Sequence, residues 1–160
     1  MTDLLISALA LDDIEDIARI HATCFDEAWD SSTIRKVLAM PGAFGLVARR
    51  QTSGDISGFA LARVVADECE LLSLGVARHR RNRGIGGGLF DATVVRACAC
   101  DAARMFLEVA EDNAEALHLY EARGLVPVGR RPEYYRLKNG QRAAALTMRC
   151  DLPGREDPAN

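Results

Sequence analysis

The chain has 160 residues, 49% of them hydrophobic and 27% charged, with a formal net charge of −3. That length and balance fit one globular domain with a substantial core and exclude a general nucleic-acid binder, whose domain is basic. No apolar run approaches the roughly 18 residues of a membrane span. The opening Met1-Thr2-Asp3-Leu4-Leu5-Ile6 carries an acid where an export signal carries positive charge, so a cytoplasmic protein is expected.

Residues 4–10 read as a first strand. Asp12 followed by Glu15 has the spacing of a capping box, and Ile14, Ile17, Ala18, His21, Cys24 and Phe25 share one face of a helix over 13–25. On that stripe His21 reads as a packed core-edge residue. Ser31-Ser32 caps a second short helix that Pro41-Gly42 ends. Phe25 and Trp29 flank this junction, where they either pack in the core or line a substrate cleft.

Residues 43–50 and 56–66, split by Gln51-Thr52-Ser53-Gly54-Asp55, predict a hairpin, and Glu68 to Val76 follows as a third antiparallel strand. An arginine-rich turn then leads to glycines at 84, 86, 87 and 88 and to a helix running to about Ala103. Ile85, Leu89, Ala92, Val95, Ala99 and Ala102 give that helix its sheet-facing stripe. Arg104 to Val109 is a further strand, and the strand–helix–strand crossover makes it a parallel neighbour of 68–76.

Asn113 is a good N-cap for a helix over 114–123, with Gly124 as its C′ residue. Strands at 125–130 and 142–150 complete a domain over 1–150, and 151–160 reads as a disordered tail. The fold class is α/β in the α+β sense: a mixed, mostly antiparallel sheet of six to seven strands with about four helices.

The five cysteines, at 24, 69, 98, 100 and 150, include no C-x-x-C pair, and the histidines at 21, 79 and 118 are isolated. Reduced structural thiols and no metal are expected.

Chemistry concentrates at residues 71–89. Each glycine in a helix costs up to ~1 kcal/mol against alanine, so four at a helix start point to close backbone approach by a ligand. Free N–H groups and the positive helix end favour an anion there, and Arg78, Arg80, Arg81 and Arg83 can neutralise phosphates. The glycines follow the fourth strand rather than the first, against a dinucleotide fold, and no Gly-Lys-Ser/Thr makes a Walker loop.

Leu74-Gly75-Val76 followed by Arg81-Asn82-Arg83-Gly84-Ile85-Gly86, in the pattern R-x-x-G-x-G, resembles the acetyl-CoA-binding motif of the GNAT N-acetyltransferases. The likeness continues through Phe106-Leu107-Glu108-Val109, then Asn113 to Leu125, then Gly129-Arg130-Arg131-Pro132-Glu133-Tyr134-Tyr135. In this order the elements are most similar to the RimI branch, which acetylates ribosomal-protein alanines, over roughly residues 55–150.

The resemblance implies acetyl-CoA as cosubstrate. Leu74, Gly75 and Val76 would pair with the pantetheine arm. Residues 82–87, Gly87 among them, would hold the pyrophosphate, with Arg81 and Asn113 as further contacts. It implies Glu108 as general base, acting through water, and Tyr120 as the acid that protonates the thiolate. Glu68 is a reserve base, and Trp29, Tyr134 and Tyr135 are acceptor-cleft candidates. The implied acceptor is a protein N-terminus, first of all a ribosomal-protein alanine. A small-molecule amine, a lysine side chain, or a CoA-binding module without turnover are the alternatives. The chain could be a monomer or a dimer.

Three departures stand out. Residues 142–145 are Arg-Ala-Ala-Ala where the family carries an acidic pair, Gly87 stands where a basic residue is common, and Leu125 replaces a phenylalanine.

Overall fold

The structure, a computed structural model, describes residues 3–154. Seven strands form one sheet: β1 (Leu4–Ala8), β2 (Ala43–Arg50), β3 (Ile56–Val65), β4 (Glu68–Val76), β5 (Arg104–Ala110), β6 (Val126–Arg136) and β7 (Arg142–Asp151). Their spatial order is β1-β2-β3-β4-β5-β7-β6, antiparallel throughout except that β4 and β5 run parallel. Four helices flank it: α1 (Ile14–Cys24), α2 (Ser31–Leu38), α3 (Ile85–Ala99) and α4 (Ala114–Glu121). The expected hairpin, parallel crossover and mixed sheet are all present.

Each face of the sheet has its own core. Ile14, Ile17, Ile34, Val47, Phe59 and Leu61 close the face under α1 and α2. Leu71, Ile85, Leu89, Met105, Leu107 and Met148 belong to the face under α3 and α4. β3 is buried on both faces from Ser57 to Ala62, which is why it reads as a continuous apolar run.

Several local expectations shift. A 3₁₀ turn over Leu11–Asp13 precedes α1, so the carboxylate that reaches back is that of Asp13, accepting the Ala10 N–H at 2.9 Å, and not that of Asp12. The second helix is capped by Asp30, whose Oδ1 accepts from Thr33 N–H at 2.8 Å, rather than by Ser31-Ser32.

On α3 the buried side chains are Ile85, Leu89, Phe90, Thr93 and Ala97, while Val95 is 70% exposed. The stripe drawn from apolar residues missed Thr93. Its hydroxyl donates to the Leu89 carbonyl at 2.7 Å, so it enters the core with its polar atom satisfied.

β6 extends through Tyr134 and Tyr135, which the sequence places in a connection. β7 runs to Asp151 and Leu152 is buried, its N–H donating to Ala103 O at 2.8 Å. The tail expected beyond 150 thus begins with an exposed strand residue, Asp151, and a packed one, Leu152, and 155–160 lie outside the described residues. Among the described residues no helix is long and apolar enough to cross a membrane.

Two features of β4 create the site. Leu61 pairs with Ser73 and Ala62 with Leu71, leaving Leu72 as an extra residue in a β-bulge. The bulge exchanges the strand's faces: Cys69 and Leu71 join the α3-side core, as do Leu74 and Val76 beyond it. Pairing with β5 also stops there, at Leu71 opposite Leu107. Past that level β4 continues to Val76 and β5 to Ala110 with no pairing between them, so the sheet opens between their C-terminal halves.

Candidate functional site

The opening is bordered at its far end by the arginine-rich turn. Arg78–Arg80 form a 3₁₀ turn, Asn82 and Gly84 take left-handed φ values of +62° and +78°, and α3 starts at Ile85. Gly88 N–H donates to Gly84 O at 3.0 Å as the first helical bond. The N–H groups of Ile85, Gly86 and Gly87 therefore have no helical acceptor, and the helix dipole adds to their positive potential. Left-handed residues set among right-handed and extended ones also make the concave backbone nest that binds anions.

The arginines divide their tasks. Arg78 donates from Nε and Nη2 to Thr23 O at 3.3 and 3.2 Å, tying the turn to the end of α1. Arg81 donates from Nε to Val76 O at 3.1 Å, and its Nη2 lies 3.4 Å from Cys24 Sγ. These two brace the turn, so the sequence expectation of four phosphate-facing arginines does not hold for their guanidinium groups. Arg83 is exposed and unpaired among the described residues. Arg80 Nε is buried without an acceptor, a donor left for an anion. The nest, the free N–H groups and this orphan donor fit a phosphate-bearing ligand.

Along the β4 wall lie Leu74, Gly75 and Val76. Gly75 has a packing reason as well as the expected ligand-facing one: a Cβ there would stand 2.8 Å from Phe59 Cε1 and 3.2 Å from Cys24 Sγ. Beneath the strand, His21 links three elements. Its Nδ1 accepts Trp29 N–H at 3.0 Å, so in the neutral ring Nε2 carries the proton and donates to Ser73 Oγ at 3.2 Å. Burial pushes the imidazole down to about 4, which keeps it neutral. Trp29 stacks on His21 at 5.1 Å and Phe25 lies 4.4 Å from the same ring, so packing accounts for both.

Across the opening, β5 supplies Glu108 and the following turn supplies α4. Met105, Leu107 and Val109 belong to the α3-side core, so Glu108 faces the other way, toward the α1 side. Glu108 pairs with Thr147, Arg131 with Ala145 and Tyr135 with Ala143, which sets Glu108, Arg131 and Tyr135 on one face. Between Arg131 and Tyr135 the strand bulges, with Glu133 at a left-handed φ of +55°.

Arg131 Nη2 lies 3.5 Å from Glu108 Oε1, and the guanidinium sits 5.3 Å over the Tyr134 ring. Tyr134 meets Tyr135 edge-on at 5.3 Å. Burial, with the Glu108 charge second, pushes the Tyr135 phenol up to about 12.

Asn113 Oδ1 accepts Ala116 N–H at 3.2 Å, as expected of an N-cap. At the other end Gly124 takes φ +85° and Leu125 N–H returns to Tyr120 O at 3.1 Å, a Schellman ending. Tyr120 is 7% exposed in the α3-side core, and burial, then the neighbouring Tyr135, pushes its phenol up to about 12. Tyr120 and Glu108 thus lie on opposite faces of the sheet, each near enough to Tyr135 for their charges to couple to it.

Glu68 is not brought to this site. It lies level with Arg104 at the start of the parallel pair, four residues from Glu108 along the sheet, about 13 Å at strand rise, and 3.8 Å from the Arg104 guanidinium. Nothing in the sequence marks the partner of Glu108, because a β-bulge at Val128, between Pro127 opposite Met148 and Gly129 opposite Thr147, decides which of Arg130 and Arg131 shares its face. Arg130 instead pairs with Glu111 at 2.9 Å. Among the described residues no group of His, Cys, Asp or Glu could hold a metal.

The acetyltransferase (GNAT) family profile matches residues 14–125. The chain is 34% identical over 155 residues to the N-alpha-acetyltransferase RimI of Mycobacterium tuberculosis, covering 91% of each chain. It is 29% identical over 139 residues to a putative ribosomal protein bS18-alanine N-acetyltransferase of Bacillus subtilis, covering 86% of this chain and 90% of that one. Its fold is similar to the crystal structure of the ribosomal-protein-S18-alanine N-acetyltransferase of Escherichia coli, with TM-score 0.87, 24% identity and 97% of both chains covered. An Arabidopsis thaliana NAA60 structure in complex with acetyl-CoA aligns with TM-score 0.80 and 20% identity over 94% of this chain and 99% of that one. The chain therefore belongs to the GNAT acetyltransferase family, as an acetyl-CoA-dependent N-acetyltransferase.

Proposed function

We propose that this enzyme acetylates the α-amine of a protein N-terminus, with the N-terminal alanine of a ribosomal protein as first acceptor and Glu108 and Tyr120 as the proton-transfer pair. What supports the pair is a carboxylate on one face of the sheet at the level where β4 and β5 part, and a protonated phenol buried on the other face close enough to Tyr135 to raise its own pKa. The acceptor follows the names of the M. tuberculosis and B. subtilis relatives. A ribosomal acceptor places the reaction in the cytoplasm.

On this reading Leu74, Gly75 and Val76 hold the pantetheine arm. Asn82, Arg83, Gly84, Ile85, Gly86 and Gly87 receive the pyrophosphate, helped by Arg80. Arg81 acts as a brace and Asn113 caps the helix beside the cofactor. The amine attacks only when neutral, so Glu108 accepts its proton, through water. The nitrogen then bonds to the acetyl carbon, the thioester C–S bond breaks, the departing sulfur takes the Tyr120 proton, and the second proton lost by the nitrogen restores the phenol through water. A phenol held up at about 12 is protonated throughout the neutral range, as a donor must be. Tyr134 and Tyr135 wall the acceptor side together with Arg131.

The test is thiol release from acetyl-CoA with a panel of alanine-starting peptides, free lysine-containing peptides and small polyamines. Release with the peptides and acetylation at their α-nitrogen is expected. Release only with lysine side chains or polyamines would overturn the acceptor, and none with any amine despite CoA binding would identify a binding module.

A further inference from the structure

Arg123 stands in the turn that ends α4, one helical turn past Tyr120. Its Nε donates to Asp91 Oδ1 at 2.9 Å and its Nη2 to Asp91 Oδ2 at 3.3 Å, a two-pronged bond between α4 and α3. The guanidinium also lies 5.9 Å over the ring of Phe90. That ring is in turn 5.9 Å from the Tyr120 ring, inclined at 51°. Two neighbouring residues of α3, Phe90 and Asp91, thus grip Tyr120 of α4 and Arg123 in the turn after it.

The grip exists because residue 87 has no side chain. A Cβ on Gly87 would stand 2.2 Å from Arg123 Nη2 and 2.9 Å from its Cζ. Arg123 fills the space over α3 that a basic side chain at 87 would occupy, and it does so tethered to Asp91. Fork geometry on a carboxylate fixes direction as well as distance. α4 has only eight residues, too short to hold its own position, so its placement depends on such contacts.

We propose that Asp91, Arg123 and Phe90 are positioning residues for acyl transfer, setting where the Tyr120 phenol stands in the opening. The inference rests on the reading of Tyr120 as proton donor. Asp91 is 63% exposed and Arg123 28%, so the pair is partly screened by solvent and contributes little to overall stability. Its effect falls on alignment, to which group transfer is sensitive at the level of an ångström.

The experiment uses Asp91→Asn and Arg123→Gln, each alone and combined with Tyr120→Phe. Turnover at saturating substrates, the KM for acetyl-CoA and the melting temperature are measured for all. Each single replacement should lower kcat about tenfold with the KM for acetyl-CoA changed less than about twofold. In the Tyr120→Phe background the same replacements should lower kcat no further, a coupling that a merely structural role would not produce. Unchanged kcat in the singles, or full additive losses in the Tyr120→Phe background, would overturn the positioning role while leaving Tyr120 as donor. Unchanged kcat in Tyr120→Phe alone would instead remove the donor reading and this inference with it.

Discussion

Arg131 Nη2 lies 3.5 Å from Glu108 Oε1, on the same face of the sheet. The two side chains differ in exposure, 59% for arginine and 27% for glutamate, so the pair is screened and holds an orientation more than it holds the fold. Arg131→Gln should change unfolding free energy by less than about 1 kcal/mol and lower kcat by less than about tenfold. Thermal melts and steady-state rates check both parts. A large loss of stability would mean that the ion pair is structural.

Removing the carboxylate itself has a larger expected effect. Glu108→Gln keeps shape and loses the proton acceptor, so kcat at neutral pH should fall about 10²-fold. The dissociation constant for acetyl-CoA should stay within about twofold, because Glu108 faces away from the α3–α4 side. Titration calorimetry with acetyl-CoA and a rate assay separate the two. Unchanged turnover would assign proton removal to solvent, since Glu68 sits at the other end of the strand pair.

The phosphate turn predicts a binding defect with chemistry spared. A Cβ on Gly86 would meet Leu119 at 3.6 Å and Leu74 and Val76 at 3.7 Å, ordinary contacts that the two methyls of valine would turn into crowding. Gly86→Val should weaken acetyl-CoA binding at least about tenfold, as a narrowed cradle excludes the backbone approach that phosphate needs. An unchanged dissociation constant would refute the assignment of the turn.

His21 predicts a pH dependence of stability. Its folded value of about 4 lies below the unfolded 6.5, so between those values the unfolded chain binds a proton that the folded chain does not. Stability contributed by the neutral ring is complete above pH 6.5 and is lost as pH falls toward 4, by about 3 kcal/mol over the window. Denaturant melts across this range should show the slope, and His21→Gln should flatten it. A slope that survives the replacement would place the titrating group elsewhere.

Much of this was legible in the chain. Gly84, Gly86 and Gly87 at a helix start and the Leu-Gly-Val strand before them point to a phosphate-bearing ligand. Period-2 and period-3.6 patterns marked the sheet and helices because burial of one face is a local property of residue order. Caps were legible only to within a residue, since a 3₁₀ turn moved the first cap to Asp13 and Asp30 displaced Ser31. The α3 stripe failed at Thr93 because a hydroxyl bonded within its own helix is as buriable as an alkyl group.

By itself, the sequence determined the order of elements and, through glycines crowded at a helix start, pointed to a phosphate-bearing ligand, while the candidates Glu108, Tyr120 and Asn113 rest on the resemblance of its motifs to the GNAT family. Only the tertiary structure decided which of them meet. The bulge at Leu72 exchanges the faces of β4 where its pairing with β5 ends, and the bulge at Val128 in β6 sets Arg131 on the face of Glu108. Register between strands distant in the chain is a collective outcome of packing both cores, and no short window of residues encodes it.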